Sequence, residues 1–216
     1  MTNQWFRNKT WSEAIENDFL KQQQNAAYGM QIESLKIQGD NWLSSRDEAT
    51  QQAGVRLLEK SLADFANEPY EVATVQEILG EYYYKKADFE RAEIYMLPVI
   101  RFTKENQRIG VVRKADLILA EMIMLRNLRE RLEEAYQLIH NFPNLGGTLP
   151  FEHDEYCYYE LLAHVCYQLG KKEEAASCAQ KAIAIAQTVE EFLLSKPSAA
   201  IEGYYQKLPS LAEIAG

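Results

Sequence analysis

The 216 residues include only three histidines and three cysteines. His153, Cys157 and His164 stand at i, i+4 and i+11, nominally one face of a helix. With a fourth ligand from elsewhere, the trio has the donor types of a zinc or copper site. The competing reading is simpler. His153 lies at a helix start, where its direction is undetermined, and free cysteine is commonly a small buried hydrophobe. No H-E-x-x-H, G-x-S-x-G, P-loop or G-x-G-x-x-G pattern occurs. The glycines of "LGG" at 145–147 mark a loop rather than a phosphate cradle. The acid pairs Glu133-Glu134 and Glu173-Glu174 read as charged helix surface. The sequence is therefore read as non-catalytic, with no cofactor and no bound metal.

Composition narrows the partners. The chain is 47% hydrophobic and 25% charged, ordinary for a globular domain. It carries 32 acidic against 23 basic side chains, a formal charge of −9. Nucleic acid, whose phosphates need a Lys/Arg surface, is not the expected partner. The opening "MTNQWFRNKTW" has no continuous apolar stretch of the kind a signal peptide needs. No run of 18 or more apolar residues spans a bilayer. The odd cysteine count, Cys157, Cys166 and Cys178, is not a disulfide framework. A reducing cytoplasm is the expected location.

The elements that position these residues read as helices throughout. Trp11, Ile15 and Phe19 share a face, with Thr10 and Glu13 spaced as a capping box. Further helices are expected over 26–42 and 47–65. Pro69 opens the next one and Asp88 caps the one after. Helices then follow at 109–128, 130–141, 153–169 and 171–189. "NFPNLGGTLPF" is the clearest loop, and Pro197 and Pro209 divide a short tail. The expectation is an all-α chain of about ten helices. Short connections make neighbours antiparallel.

Within this pattern one motif recurs. Leu79-Gly80, Tyr83, Phe89 and Ala92 form one unit; in a second, Leu162-Ala163 stands for Leu79-Gly80, Cys166 for Tyr83 and Ala175 for Ala92, with Gly170 marking the turn. The small residues fall twelve apart in both units, Gly80 to Ala92 and Ala163 to Ala175. Small residues let the helices of a hairpin approach, and Tyr83 then fills the gap beside them, against its strand propensity. A weaker middle unit has Ala120 and Ala135, fifteen apart. Either its turn, "RNLRER", carries an insertion or Ile123 takes the small position. Gly54 is a still weaker anchor. The second-helix anchors Gly54, Ala92, Ala135 and Ala175 are spaced by 38, 43 and 40 residues.

The motif resembles the tetratricopeptide repeat, whose regular period is about 34 residues. The resemblance covers 70–188 well and 26–66 poorly. It implies antiparallel hairpins stacked in a right-handed superhelix, an α-solenoid. The implied single domain has divergent N-terminal helices (1–66), the repeat-like units (70–188) and a capping tail (189–216). In that family the first helices of successive units line a concave groove. The matched positions are Glu77, Glu81 and Tyr84, then Met124, then Glu160, His164 and Tyr167. Family members that clamp a chaperone's C-terminal carboxylate hold Lys and Asn at such positions. Here they are mainly Glu, so a protein or peptide with a basic or mixed surface fits better. The implied function is a protein-interaction module, one form being an immunity protein or antitoxin that blocks a cognate effector. The alternatives are a self-associating scaffold or homo-oligomer and, behind it, a small-ligand-binding protein or enzyme.

Overall fold

The computed structural model describes residues 5–106, 114–188 and 197–216, and among them every regular element is helical. The start of the helix expected at 109–128 and the last residue of that at 171–189 lie outside the described residues. Helices begin where the sequence supplies an acceptor for their orphan N–H groups. Ser12 accepts from the Ile15 amide and opens α1 (Glu13–Gln24). This corrects the capping box expected at Thr10: the helix is capped two residues later, by the Ser12 hydroxyl. Asp47 accepts from Thr50 at 2.8 Å and opens α3 (Glu48–Asp64), after α2 (Tyr28–Leu43). Pro69 is the first residue of α4 (Pro69–Lys85), and Asp88 caps α5 (Phe89–Glu105) through the Arg91 amide.

The later helices are α6 (Ala115–Leu125), α7 (Leu132–Asn144), α8 (Glu152–Gln168) and α9 (Lys172–Thr188), then the short α10 (Ala199–Tyr205) and α11 (Leu211–Ala215). α7 continues past its expected end at 141 and through Pro143. Proline leaves the carbonyl four residues back without its helical donor. The Tyr158 hydroxyl reaches that carbonyl, on Ile139, at 3.4 Å. No helix among the described residues is long and apolar enough to cross a membrane.

The chain divides into two compact units, Met1–Tyr82 and Tyr83–Gly216, the division falling inside α4. The first unit has a core of Phe19, Ile32, Leu35, Trp42, Leu57 and Phe65. α2 and α3 cross there at Gly39 and Gly54. A Cβ on Gly54 would lie 2.8 Å from the Gly39 carbonyl oxygen and 3.0 Å from the Leu43 nitrogen, so only glycine fits. The buried Gln38 amide fastens the N-terminal segment, accepting from the Asn8 amide at 2.8 Å and donating to the Asn8 carbonyl at 2.8 Å.

In the second unit α6 packs with α7 and α8 with α9. Four helices end in one way. After α4, Asp88 N–H donates to the Tyr83 carbonyl and Ala87 N–H to that of Tyr84. The same crossed pair closes α6 (Leu128 to Ile123, Asn127 to Met124), α7 (Gly147 to Phe142, Gly146 to Pro143) and α8 (Lys171 to Cys166, Gly170 to Tyr167). Each is a Schellman motif, which requires a left-handed residue just past the helix. Those residues are Ala87 (φ 57°), Asn127 (φ 52°), Gly146 (φ 79°) and Gly170 (φ 75°).

The left-handed residue sets a common register. Seven positions before it stand Gly80, Ala120 and Ala163, all buried; four before it stand Tyr83, Ile123 and Cys166. Ala120 is therefore the small position of the middle unit and Ile123 corresponds to Tyr83. Ala92 and Ala175 follow the left-handed residue by five, Ala135 by eight. The three extra residues are a 3₁₀ turn, Arg129–Arg131. Of the two readings of "RNLRER", the insertion holds.

The three tyrosines at 82–84 are 7%, 8% and 9% exposed, so burial on three sides of one helix end overrides their strand preference. The Tyr82 hydroxyl meets Gln51 at 3.4 Å. Tyr83 stacks on Tyr95 with centroids 5.7 Å apart. Tyr84 lies beside Phe89 and donates to Glu121.

Two substitutions test this architecture. An L-residue in the left-handed region costs about 1–2 kcal/mol, so Ala87→Gly is expected to raise stability by about 1 kcal/mol. An unchanged denaturant midpoint would show that the turn after α4 is not closed this way. Gly54→Ala is expected to lower stability by about 1–3 kcal/mol through overpacking against backbone; a neutral result would open the α2–α3 crossing.

Candidate partner-binding site

The common register also sorts the residues expected to meet a partner. Six positions before the left-handed residue stand Glu81, Glu121 and His164; three before it stand Tyr84, Met124 and Tyr167. Glu121 belongs to the same series as two expected residues. The sequence reading missed it because the middle unit's register was open. Internal alignment on Asn127, a residue type that tolerates left-handed backbone, was the signal that could have found it.

Glu77 and Glu81 lie on the part of α4 assigned to the first unit, Glu77 buried and Glu81 half-buried. The other five expected residues lie in the second unit and do not form an open surface. Met124 is fully buried, Tyr84 is as buried as Tyr83, and His164 is 4% exposed. Glu160 is partly buried. Only Tyr167, at 50%, is open to solvent.

What covers this face is the chain's own C-terminal segment. The Tyr205 hydroxyl of α10 donates to the Glu121 carboxylate on α6, and its ring meets His164 on α8 edge-on, with centroids 6.4 Å apart. Tyr204 sits edge-on against Phe89 at 5.2 Å. Ser198 donates to the Lys85 carbonyl at 2.6 Å, and Ile201 is buried. α11 follows and packs on α8 and α9, burying Ile214. Its start is secured by a complete capping box between Ser210 and Glu213.

Beneath α10 the side chains are unusually polar. Glu121 accepts from Tyr84 and Tyr205, and Glu160 accepts from the Tyr156 hydroxyl at 2.8 Å. Burial holds both carboxyls above the ordinary carboxylate range, and the Glu121 charge adds to the shift at Glu160. Burial pushes His164 down to about 4, so its ring is neutral near pH 7. Its Nδ1 has no hydrogen-bond partner, nor has the Oε1 of Gln168, whose amide nitrogen donates to the Met124 carbonyl at 3.4 Å. Tyr205 is raised well above an ordinary phenol and stays a donor.

The trio His153, Cys157 and His164 does not converge. His153 faces Asp154, Nε2 to Oδ1 3.2 Å, and Asp154 is also bridged by Lys114. Burial and the neighbouring Glu160 push the Cys157 thiol up to about 12, away from the thiolate a metal prefers. Among the described residues no three His, Cys, Asp or Glu side chains could hold a metal ion together. A second polar group lies on α7 and α9, where Glu174 accepts from Tyr136 and meets His140 at 3.1 Å, with Lys171 over the Tyr136 ring. It is a half-exposed network with its charges paired. The chain finds no match among protein-family models, curated proteins or solved structures.

The site makes opposing contributions to stability with pH. From the ordinary histidine value of 6.5 down to about 4, the unfolded chain binds a proton that folded His164 does not, so acidification destabilises. From the ordinary carboxyl value of 4.5 upward, folded Glu121 and Glu160 keep protons that the unfolded chain has released, so rising pH destabilises. Glu121→Gln keeps an acceptor for the two tyrosines and removes the ionisation. Its melting temperature is expected to exceed that of the parent at about pH 8 and to match it at about pH 4. A lower value at the higher pH would overturn the account of Glu121. His164→Gln is expected to flatten the loss of stability on acidification below the ordinary histidine value.

Proposed function

We propose that this chain is a non-catalytic protein-interaction module, built as tetratricopeptide-like hairpins, whose second unit docks a helical segment of a partner. One observation carries the reading. The face formed by the register positions of α6 and α8 already holds a helix, α10, by an aromatic residue set among acceptors. In the family that the motif resembles, the equivalent face is the peptide groove. The resting chain fills it with its own tail, and a partner competes with that tail. The net charge of −9 and the glutamates of the face favour a basic or mixed partner.

A docking face of this kind accepts its ligand in trans. A protease site introduced between Thr188 and Pro197 of the full chain allows the tail to be cut after folding. A labelled peptide of residues 197–216 is then expected to exchange into the cleaved protein and bind saturably at micromolar concentration, by fluorescence anisotropy. The same peptide carrying Tyr205→Ala should bind at least about tenfold more weakly, the scale of one aromatic anchor. Absence of any exchange, with the tail permanently retained, would mean that α10 and α11 are plain core, and the docking reading would fall.

A further inference from the structure

The groups beneath α10 share one chemical character. The Glu121 and Glu160 carboxylates accept hydrogen bonds, and the Gln168 Oε1, one turn beyond His164 on α8, is an acceptor without a partner. Neutral His164 offers an acceptor at Nδ1 when its proton is on Nε2. Glu160, His164 and Gln168 follow one another at i, i+4 and i+8, a single stripe along α8. Glu121 meets that stripe from α6 through its contact with Tyr205, whose ring lies against His164. The hydrogen bonds described at the two carboxylates come from phenols, Tyr84, Tyr156 and Tyr205. Two acceptor atoms of the stripe, His164 Nδ1 and Gln168 Oε1, have no partner, and His164 is 4% exposed. A buried polar atom without a partner is costly, and two carboxyls enclosed together repel. A group with several donors and a positive charge would neutralise the carboxyls and supply donors that this face lacks.

We propose that this acceptor face receives the ammonium or guanidinium head of a lysine or arginine side chain on the partner segment. The head takes the place that the Tyr205 hydroxyl occupies in the resting chain. The inference rests on the docking reading above and names the chemistry that the docked segment must carry. Tyr205 is then a neutral stand-in: it satisfies Glu121 with one donor and leaves His164 Nδ1 and Gln168 Oε1 unpaired.

The cleaved full chain tests this with a peptide series spanning residues 197–216, in which position 205 is Tyr, Lys, Arg or Met. Each competes with the labelled tyrosine peptide. The lysine or arginine peptide is expected to bind at least about tenfold tighter than the methionine peptide, because a charge-assisted hydrogen bond is stronger than a neutral one. That preference is expected to disappear when the chain carries Glu121→Gln together with Glu160→Gln. The wild-type series alone decides the matter if the double variant does not fold. If the tyrosine peptide binds and the basic peptides bind no better than methionine, the cation assignment is overturned and the docking reading survives. If free spermidine displaces the labelled peptide as effectively as the lysine peptide does, the cation comes from a free polyamine and the partner-segment assignment is overturned. If no peptide exchanges at all, it is the docking reading that has failed.

Discussion

Two helices of a hairpin come close only where their crossing carries no bulk, and this constraint organises the chain. In the first unit it is met in its strictest form, with Gly39 and Gly54 back to back and no room for a Cβ on the second. In the second unit alanine serves, at Ala120, Ala135, Ala163 and Ala175, all buried. A crossing fixed at one point along each helix fixes the turn that joins them. The left-handed residue at 87, 127 or 170 then stands seven positions past the small residue of its first helix. Packing at the crossing and closure of the helix end are thus one specification, written twice.

The same register determines the chemistry of the exposed side of each hairpin. Once Ala120 and Ala163 face the second helix, Glu121 and His164 must face away from it, one residue further round. On a lone hairpin those positions are wet. Here α10 lies over them and turns a polar face into an enclosed one. Enclosure, more than any particular neighbour, moves the titrations: it holds Glu121 and Glu160 toward the neutral acid and His164 toward the neutral ring. The tail is therefore both the cover of this face and the source of its unusual electrostatics. Core burial alone would have called for apolar residues at 121, 160 and 164.

Much of this was legible in the sequence. The helices, the cap at Asp88, the start at Pro69 and the small residues at Gly80, Ala92, Ala163 and Ala175 all rest on local spacing, and local spacing survives in the linear chain. The misreadings were local too. Thr10 and Ser12 both offer a capping oxygen, and only the actual start of α1 chooses between them. Pro143 reads as a helix stop until Tyr158, from the next helix, supplies the donor that proline lacks. The "RNLRER" turn needed the left-handed Asn127 and the 3₁₀ turn after it before Glu121 fell into line with Glu81 and His164.

By itself the sequence determined the all-helical class, the hairpin pattern and the acidic character, because each depends on residues within a few turns of one another. Only the tertiary structure decided that the face carrying Glu121, Glu160 and His164 is covered, because its cover is Tyr205, 84 residues along the chain from Glu121. No periodicity encodes that meeting. It follows from where α10 comes to rest after the chain has completed its last long hairpin, and it converts side chains that read as solvated helix surface into a partly to fully buried set of acceptors.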